Sequence, residues 1–342
     1  MGEAITIKDI AKALGMSYST VSRALKGSYQ ISEATRQKVK EYADAHHYRP
    51  NLVAQSLRSK KSRSIGVLLC SIPNNFFAEV INGIESIAYN RDYHVILTQS
   101  LESNERELKN LEHLAWRSVD GLLVSLSTET TDISHFKKWH DSGVPIVFFD
   151  RITDQIDTYK VVVDNAGGAF KAVQHLIDSG FRQIAHITSS PSLSITTERL
   201  EGYNKAMAKN GLSPLPGHIQ YCLHGGMIAD ELEQAIDRLF QSARPPDAIF
   251  TASDRITIGT LAELNKRGIK IPQQVAIAGF SNFSSPELFC PPLTTVRQPA
   301  FEMGKTATEL LLQLIEGKHK PTSFEKKVLP TELVIRESSK KR

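Results

Sequence analysis

The residues best equipped for chemistry in this 342-residue chain are hydroxyls and one arginine crowded near its start. Between Ser17 and Leu25, the apolar residues Val21, Ala24 and Leu25 recur at helical spacing and take one face, which leaves Tyr18, Ser19, Ser22 and Arg23 on the other. An aromatic hydroxyl, small hydroxyls and a guanidinium on a short helix suit base edges in a DNA major groove, the arginine pairing two acceptors of guanine. On pattern alone a solvated face or a protein-binding module stays open. Other chemistries lack their residues. There is no G-x-S-x-G turn, no H-E-x-x-H and no paired-cysteine motif. The run MGKT at Met303 to Thr306 lacks a phosphate loop's earlier glycine, Pro299 standing in its place. Cys70, Cys222 and Cys290 are odd in number at spacings no zinc site uses, so they read as reduced thiols. No metal, no cofactor and no enzymatic activity is expected.

The elements that must position those residues follow from charge and periodicity. Residues 1–64 hold twelve Lys or Arg against five Asp or Glu, a net charge of +7, while the remainder carries −3. A basic module on a mildly acidic body points to a polyanion at one end and another ligand elsewhere. Residues 7 to 46 read as three short helices: Ile7 to Leu14 after the N-cap Thr6 and before Gly15, Tyr18 to Leu25 after Ser17, and a third after Ser32 in which Ala34, Val39 and Tyr42 face inward. That is helix-turn-helix spacing. From Ile65 onward, apolar runs such as IGVLLC, HVILT, GLLVS and VPIVFFD alternate with amphipathic helices. The fold class is α/β, with parallel sheets flanked by helices in two lobes that divide near Val163, preceded by an all-α N-terminal domain. Ligands of such sheets sit beyond the carboxyl ends of strands. The longest uncharged apolar run, Ile65 to Phe77, is broken by Pro73, and the charged N-terminus does not read as a signal peptide, so a cytoplasmic protein without a membrane span is expected.

The runs TIKDIAKALGMSYSTVSRALKG, ISEATRQKV, HHYRPNLVAQSLRS and KKSRSIGVLL resemble the start of LacI/GalR-type transcription regulators. The resemblance continues through PNNFFAEVINGIE, VPIVFFDR, TERLEGYNKAM and VAIAGFSNF to PPLTTVRQPAFEMG, in the expected order over essentially the whole chain. It implies a periplasmic-binding-protein-like body, double-stranded palindromic operator DNA, a small sugar-like effector and a homodimer as partners. By this resemblance Tyr18, Ser19 and Arg23 read bases, while Thr6, Ser17, Ser22, Ser32 and Thr35 grip phosphates. NLVAQSLRS resembles a hinge helix beginning at Asn51, with Leu57 as the wedge that opens a central base step and Ala54 packed beside it. The implied domains are 1–50 for DNA binding, 51–64 for hinge and linker, 65–162 plus 295–322 for the first lobe, and 163–294 plus 323–342 for the second lobe and tail. The last residues, ESSKKR, read as a solvated tail.

For the effector, the resemblance points to Asn75 and Phe76, with Phe77 as the alternative aromatic, to Asp150 at the end of VPIVFFD, and to Arg199 in TERLEGY. An ion pair between Asp150 and Arg151 is the competing reading. The chain departs from the family pattern at Ser281, where an Asp is usual, and at Ser253, where an Asn is frequent. Without the acid at 281, Arg199 is left uncompensated, which favours an acidic or phosphorylated ligand. Glu309 stands where catabolite-control relatives carry Arg, which speaks against a phosphocarrier corepressor. The alternative function is an exported sugar-binding transport component, which would need a leader and would have no use for a basic helix-turn-helix.

Overall fold

The computed structural model describes residues 5–48, 61–317 and 321–341 and divides into two units, residues 1–62 and 63–342. The first unit holds helices α1 (Ile7–Leu14), α2 (Tyr18–Leu25) and α3 (Glu33–Ala45). Their starts are set by hydroxyl caps. Thr6 and Asp9 form a reciprocal capping box on α1, and the side chains of Ser17 and Ser32 accept from the backbone of Thr20 and Thr35. Gly15 ends α1 in the left-handed region (φ +62°), which only glycine enters without strain, and so makes the turn into α2. Ile10, Ala11, Val21, Ala24, Val39 and Ala43 fill the small core. Ala34, expected inside, is exposed, and Ala43 does that packing instead, being one turn on from Val39.

In the second unit two six-stranded sheets lie in separate lobes. The first lobe runs β1 (Ser64–Leu69), α4 (Asn75–Asn90), β2 (His94–Gln99), α5 (Asn104–Trp116), β3 (Gly121–Val124), α6 (Ser134–Asp141), β4 (Ile146–Phe149) and β5 (Lys160–Val163). The second runs α7 (Asn165–Asp178), β6 (Ile184–Thr188), α8 (Ser194–Lys209), β7 (Ile219–Tyr221), α9 (Ala229–Phe240), β8 (Ala248–Thr251), α10 (Asp254–Lys266), β9 (Ala276–Phe280) and β10 (Thr294–Arg297). The chain then returns through α11 (Ala300–Glu316) and β11 (Lys326–Leu329) and ends its strands with β12 (Glu332–Val334). Strand orders are 11-5-4-3-1-2 and 12-10-9-8-6-7, parallel throughout except where β12 meets β10. Continuously buried apolar strands need helices on both faces, and apolar cores lie on each side of each sheet. Helices α4 and α11 cross so closely that a Cβ on Gly83 would stand 2.0 Å from the Phe301 carbonyl oxygen.

Two sequence expectations are corrected here. The first lobe was expected to take 295–322, yet residues 294–297 are β10 of the second sheet. Residues 326–329, expected in the second lobe, are β11 of the first. The chain thus crosses between lobes three times, near 164, 298 and 330, and a short apolar run does not announce which sheet it will join. The tail is also not solvated: Ser338 and Ser339 are fully buried. Ser338 Oγ donates to the Ile277 carbonyl (2.7 Å) and accepts from the Thr294 N–H (2.8 Å), and Ser339 Oγ lies 2.7 Å from His175 Nε2. Hydroxyls that satisfy strand-end backbone groups can be buried at little cost. Among the described residues no helix is long and apolar enough to cross a membrane.

One buried group gives the body a pH signature. His186 on β6 is stacked between Tyr203 and Phe250 at centroid distances of 5.3 and 4.7 Å, and its Nδ1–H donates to the Phe250 carbonyl. Burial pulls its pKa from 6.5 down to about 4. Unfolding lets this imidazole take up a proton more readily, so its contribution to stability is complete above pH 6.5 and is lost as pH falls toward 4, about 3 kcal/mol in all. Thermal melts should therefore drop between pH 7 and 4.5, and His186→Phe should flatten that slope; an unchanged slope would remove His186 as its source.

Candidate functional site

On the first unit, α2 presents Tyr18, Ser19 and Arg23 to solvent. Ser22, expected on that surface, is buried at 8% exposure, because α2 packs against both α1 and α3 and its covered face is wider than one stripe. The hydroxyls foreseen as phosphate ligands stand at helix starts. Thr6, Ser17 and Ser32 are the N-caps of the three helices, and Ser17 Oγ lies 2.9 Å from Ser19 Oγ. Thr35 Oγ1 lies 2.9 Å from Ser32 Oγ at the head of α3. Helix N-termini carry unsatisfied N–H groups and a partial positive charge, so such positions receive anions. Asn51, Ala54 and Leu57 lie outside the described residues.

In the body, the loops after the strands of both sheets meet. Asp150 directly follows β4 in the left-handed region (φ +57°), a conformation Asp tolerates better than most residues, and is buried. No described residue donates a hydrogen bond to its carboxylate. Burial raises its pKa, opposed by the charges of Arg151 and Arg199. The alternative Asp150–Arg151 pair is not formed. Arg151 instead grips Glu102, its Nη1 lying 2.7 and 2.9 Å from the two carboxylate oxygens, and Thr128 donates to the same carboxylate. Burial works against the Glu102 charge, but Arg151 and Thr128 outweigh it and hold the pKa low.

Arg199, on α8, is the knot of the site. Its Nε donates to Asn165 Oδ1 (2.8 Å), Nη2 to Gln298 Oε1 (2.9 Å) and Nη1 to the Ala252 carbonyl, while its guanidinium lies 3.9 Å from the Phe280 ring centre. Asn165 and Gln298 stand on two of the three crossings between lobes, so this one side chain ties both. Burial lowers its pKa to about 10, with Asp150 pulling the other way. Among the described residues three of its five N–H groups are engaged. Arg199 is not without acidic neighbours, as the sequence had suggested: the charges of Asp150, Glu198 and Asp254 favour its protonated form, while burial and Arg151 oppose it.

The remaining candidates are placed differently from one another. Phe76 and Phe77 are both buried in the first-lobe core, packed edge to face at 5.1 Å, and Asn75 opens α4 half-buried, one residue after the cap Asn74. Ser253 caps α10, accepting from the Ile256 N–H. Ser281 is 1% exposed and gives its hydroxyl proton to Asp254 Oδ1 at 2.5 Å. Sequence reasoning missed Asn165, Gln298, Asp254 and Glu102 as site residues, although Gln298 stands within the run PPLTTVRQPAFEMG; their positions at strand or crossing ends are the other signal that could have marked them.

Two family descriptions match the chain: bacterial regulatory proteins of the lacI family over residues 6–51, and the periplasmic binding protein-like domain over residues 173–339. The "HTH-type transcriptional repressor PurR" of Vibrio parahaemolyticus is 34% identical over 337 residues, which span 98% of this chain and 99% of the relative. The chain belongs to the lacI family of bacterial regulatory proteins. As a member it is a transcriptional regulator with a helix-turn-helix DNA-binding domain and an effector-binding body, not an enzyme. Among solved structures, a lac repressor dimer bound to operator and the anti-inducer ONPF is 25% identical with a TM-score of 0.85, covering 99% of this chain and all of that one. A CelR–cellobiose complex is 29% identical with a TM-score of 0.72, covering 98% and 99%.

Proposed function

We propose that this lacI-family member is a repressor that acts in the cytoplasm, binds a palindromic operator as a homodimer, and responds to a neutral polyhydroxylated metabolite held between Asp150 and Arg199. The observation that carries the effector class is the Asp150 carboxylate, buried without a hydrogen-bond donor among the described residues and close enough to Arg199 to feel its charge. A carboxylate accepts from hydroxyls and Arg199 donates to ring or hydroxyl oxygens, a combination that suits a sugar and repels a second anion at Asp150. The cellobiose held by CelR and the operator-bound dimer of the lac repressor support the same reading. For the dimer, exposed apolar side chains gather around the edge strands β2 and β7: Leu97, Leu108, Tyr221, Leu223 and Ile228. Tyr18, Ser19 and Arg23 would read bases, Thr6, Ser17, Ser32 and Thr35 would hold phosphates, and Leu57, Ala54 and Asn51 would belong to the hinge.

A thermal-shift screen of neutral sugars, sugar acids and sugar phosphates tests the effector class, since a cleft ligand raises Tm by mass action. A neutral sugar is expected to be the hit. Asp150→Asn should then weaken that sugar by about tenfold to a hundredfold, the worth of charge-assisted hydrogen bonds, without lowering the ligand-free Tm. A hit confined to anions, or an Asp150→Asn protein that binds as well as the wild type, would overturn it.

A further inference from the structure

Asp254 is the first residue of α10 in the second lobe, and its carboxylate is buried. Oδ1 accepts from Ser281 Oγ at 2.5 Å and from the Asn282 N–H at 2.7 Å, both within its own lobe. Oδ2 leaves that lobe and accepts at 3.3 Å from the Phe76 N–H, in the first turn of α4 of the first lobe, an N–H that it shares with Asn74 Oδ1, the helix's own cap, at 2.9 Å. One turn further along α4, Glu79 Oε2 accepts from Asn282 Nδ2 at 2.8 Å. Asn282 is fixed in turn to the second crossing: its other Nδ2 proton goes to the Gln298 carbonyl (2.8 Å), and its Oδ1 accepts from the Gln298 N–H (3.0 Å). A carboxylate at a helix N-terminus meets first-turn N–H groups and the positive end of the dipole. Here the helix belongs to one lobe and the carboxylate to the other.

We infer that Asp254 is the positioning residue that latches the two lobes of the body, adding a second acceptor across the cleft to the Asn74-capped start of α4, and that Ser281 aims it by donating its only hydroxyl proton. The geometry separates the two halves of this job. Oδ1 is saturated by two short bonds that fix the carboxylate plane, and Oδ2 is thereby turned toward α4. Parting the lobes breaks the Phe76 and Glu79 contacts together, while the bonds to Ser281, Asn282 and Gln298 travel with the second lobe. A ligand shifts an equilibrium only by its differential affinity for the two states, so any effector of this body works against or with a closure that Asp254 already biases. The latch stands on contacts within the body and needs neither the operator nor the identity of the effector.

The test is hydrogen–deuterium exchange on the full-length protein in three variants. Asp254→Asn keeps an oxygen for Ser281 and the Asn282 N–H but turns an amide N–H toward the Phe76 N–H. Ser281→Ala keeps the carboxylate and removes its guide. Ser281→Thr keeps the hydroxyl. Exchange in the 74–80 segment should rise about threefold in the first two variants, less than for a full charge-assisted bond because Asn74 still holds the Phe76 N–H, with the radius of gyration from small-angle scattering increasing as the lobes part. Exchange in β1 and β8, inside each lobe, should stay at the wild-type level, and Ser281→Thr should behave as wild type. Unchanged exchange at 74–80, or a rise shared by β1 and β8, would reduce Asp254 to a structural residue and overturn the latch. If Asp254→Asn does not fold, Ser281→Ala decides by the same readout. DNA and sugar take no part in the measurement, so its failure leaves the proposed repressor and effector reading standing.

Discussion

Raising salt from 50 to 200 mM should weaken operator binding by on the order of a thousandfold or more. The first 64 residues carry a net +7, and three capped helix starts, at Thr6, Ser17 and Ser32, add N–H groups for phosphate. Each phosphate contacted releases condensed counterions, and six or more contacts give that steepness. Titrating a palindromic duplex at four salt concentrations gives the slope directly. A flat response would mean that the basic module does not meet the DNA backbone. Arg23→Ala should act differently from the loss of a phosphate contact, costing about 1 to 3 kcal/mol at one base position and relaxing sequence preference there.

The second large effect is expected at Arg199. Removing its side chain leaves Asn165, Gln298 and the Ala252 carbonyl without their donor and takes a counter-charge from buried Asp150. Breaking a buried charged network costs about 3 to 5 kcal/mol, which in a body of this size lowers Tm by roughly 10 °C. Arg199→Ala should also lose the sugar-induced rise in Tm. Arg199→Lys separates the two roles, because an ammonium keeps the charge but cannot reach both crossings as the planar guanidinium does. It should melt closer to wild type and still fail to respond. Two variants that melt like the wild type and bind sugar normally would show that Arg199 neither ties the crossings nor touches the ligand.

Much of this molecule is legible locally. The bounds of α1, α2 and α6 follow from apolar spacing and, for the first two, from hydroxyl caps and a terminal glycine, all signals within a few residues of the element itself. What escaped was long-range or very short. β7 has three residues and too little periodicity to register. Ser22 was misplaced because helical spacing locates one apolar stripe but not a second neighbour. Of the cleft, Asp150 and Arg199 could be named from the sequence, whereas Arg199's partners lie 34, 53 and 99 residues away in the chain. The charge balance of the site, and with it the choice between neutral and acidic ligands, depends on such distant partners.

Because the backbone crosses between lobes three times, neither lobe is a continuous stretch of sequence, and this bears on how the protein is made. The first sheet takes its edge strand from 326–329, and the second takes β12 and the buried serines from 332–339. A ribosome must release nearly the whole chain before either lobe can close its core. The helix-turn-helix needs only residues that emerge at the outset. The helix-turn-helix can therefore fold early in synthesis, whereas the effector-binding body, and any pairing of two chains through it, is completed late.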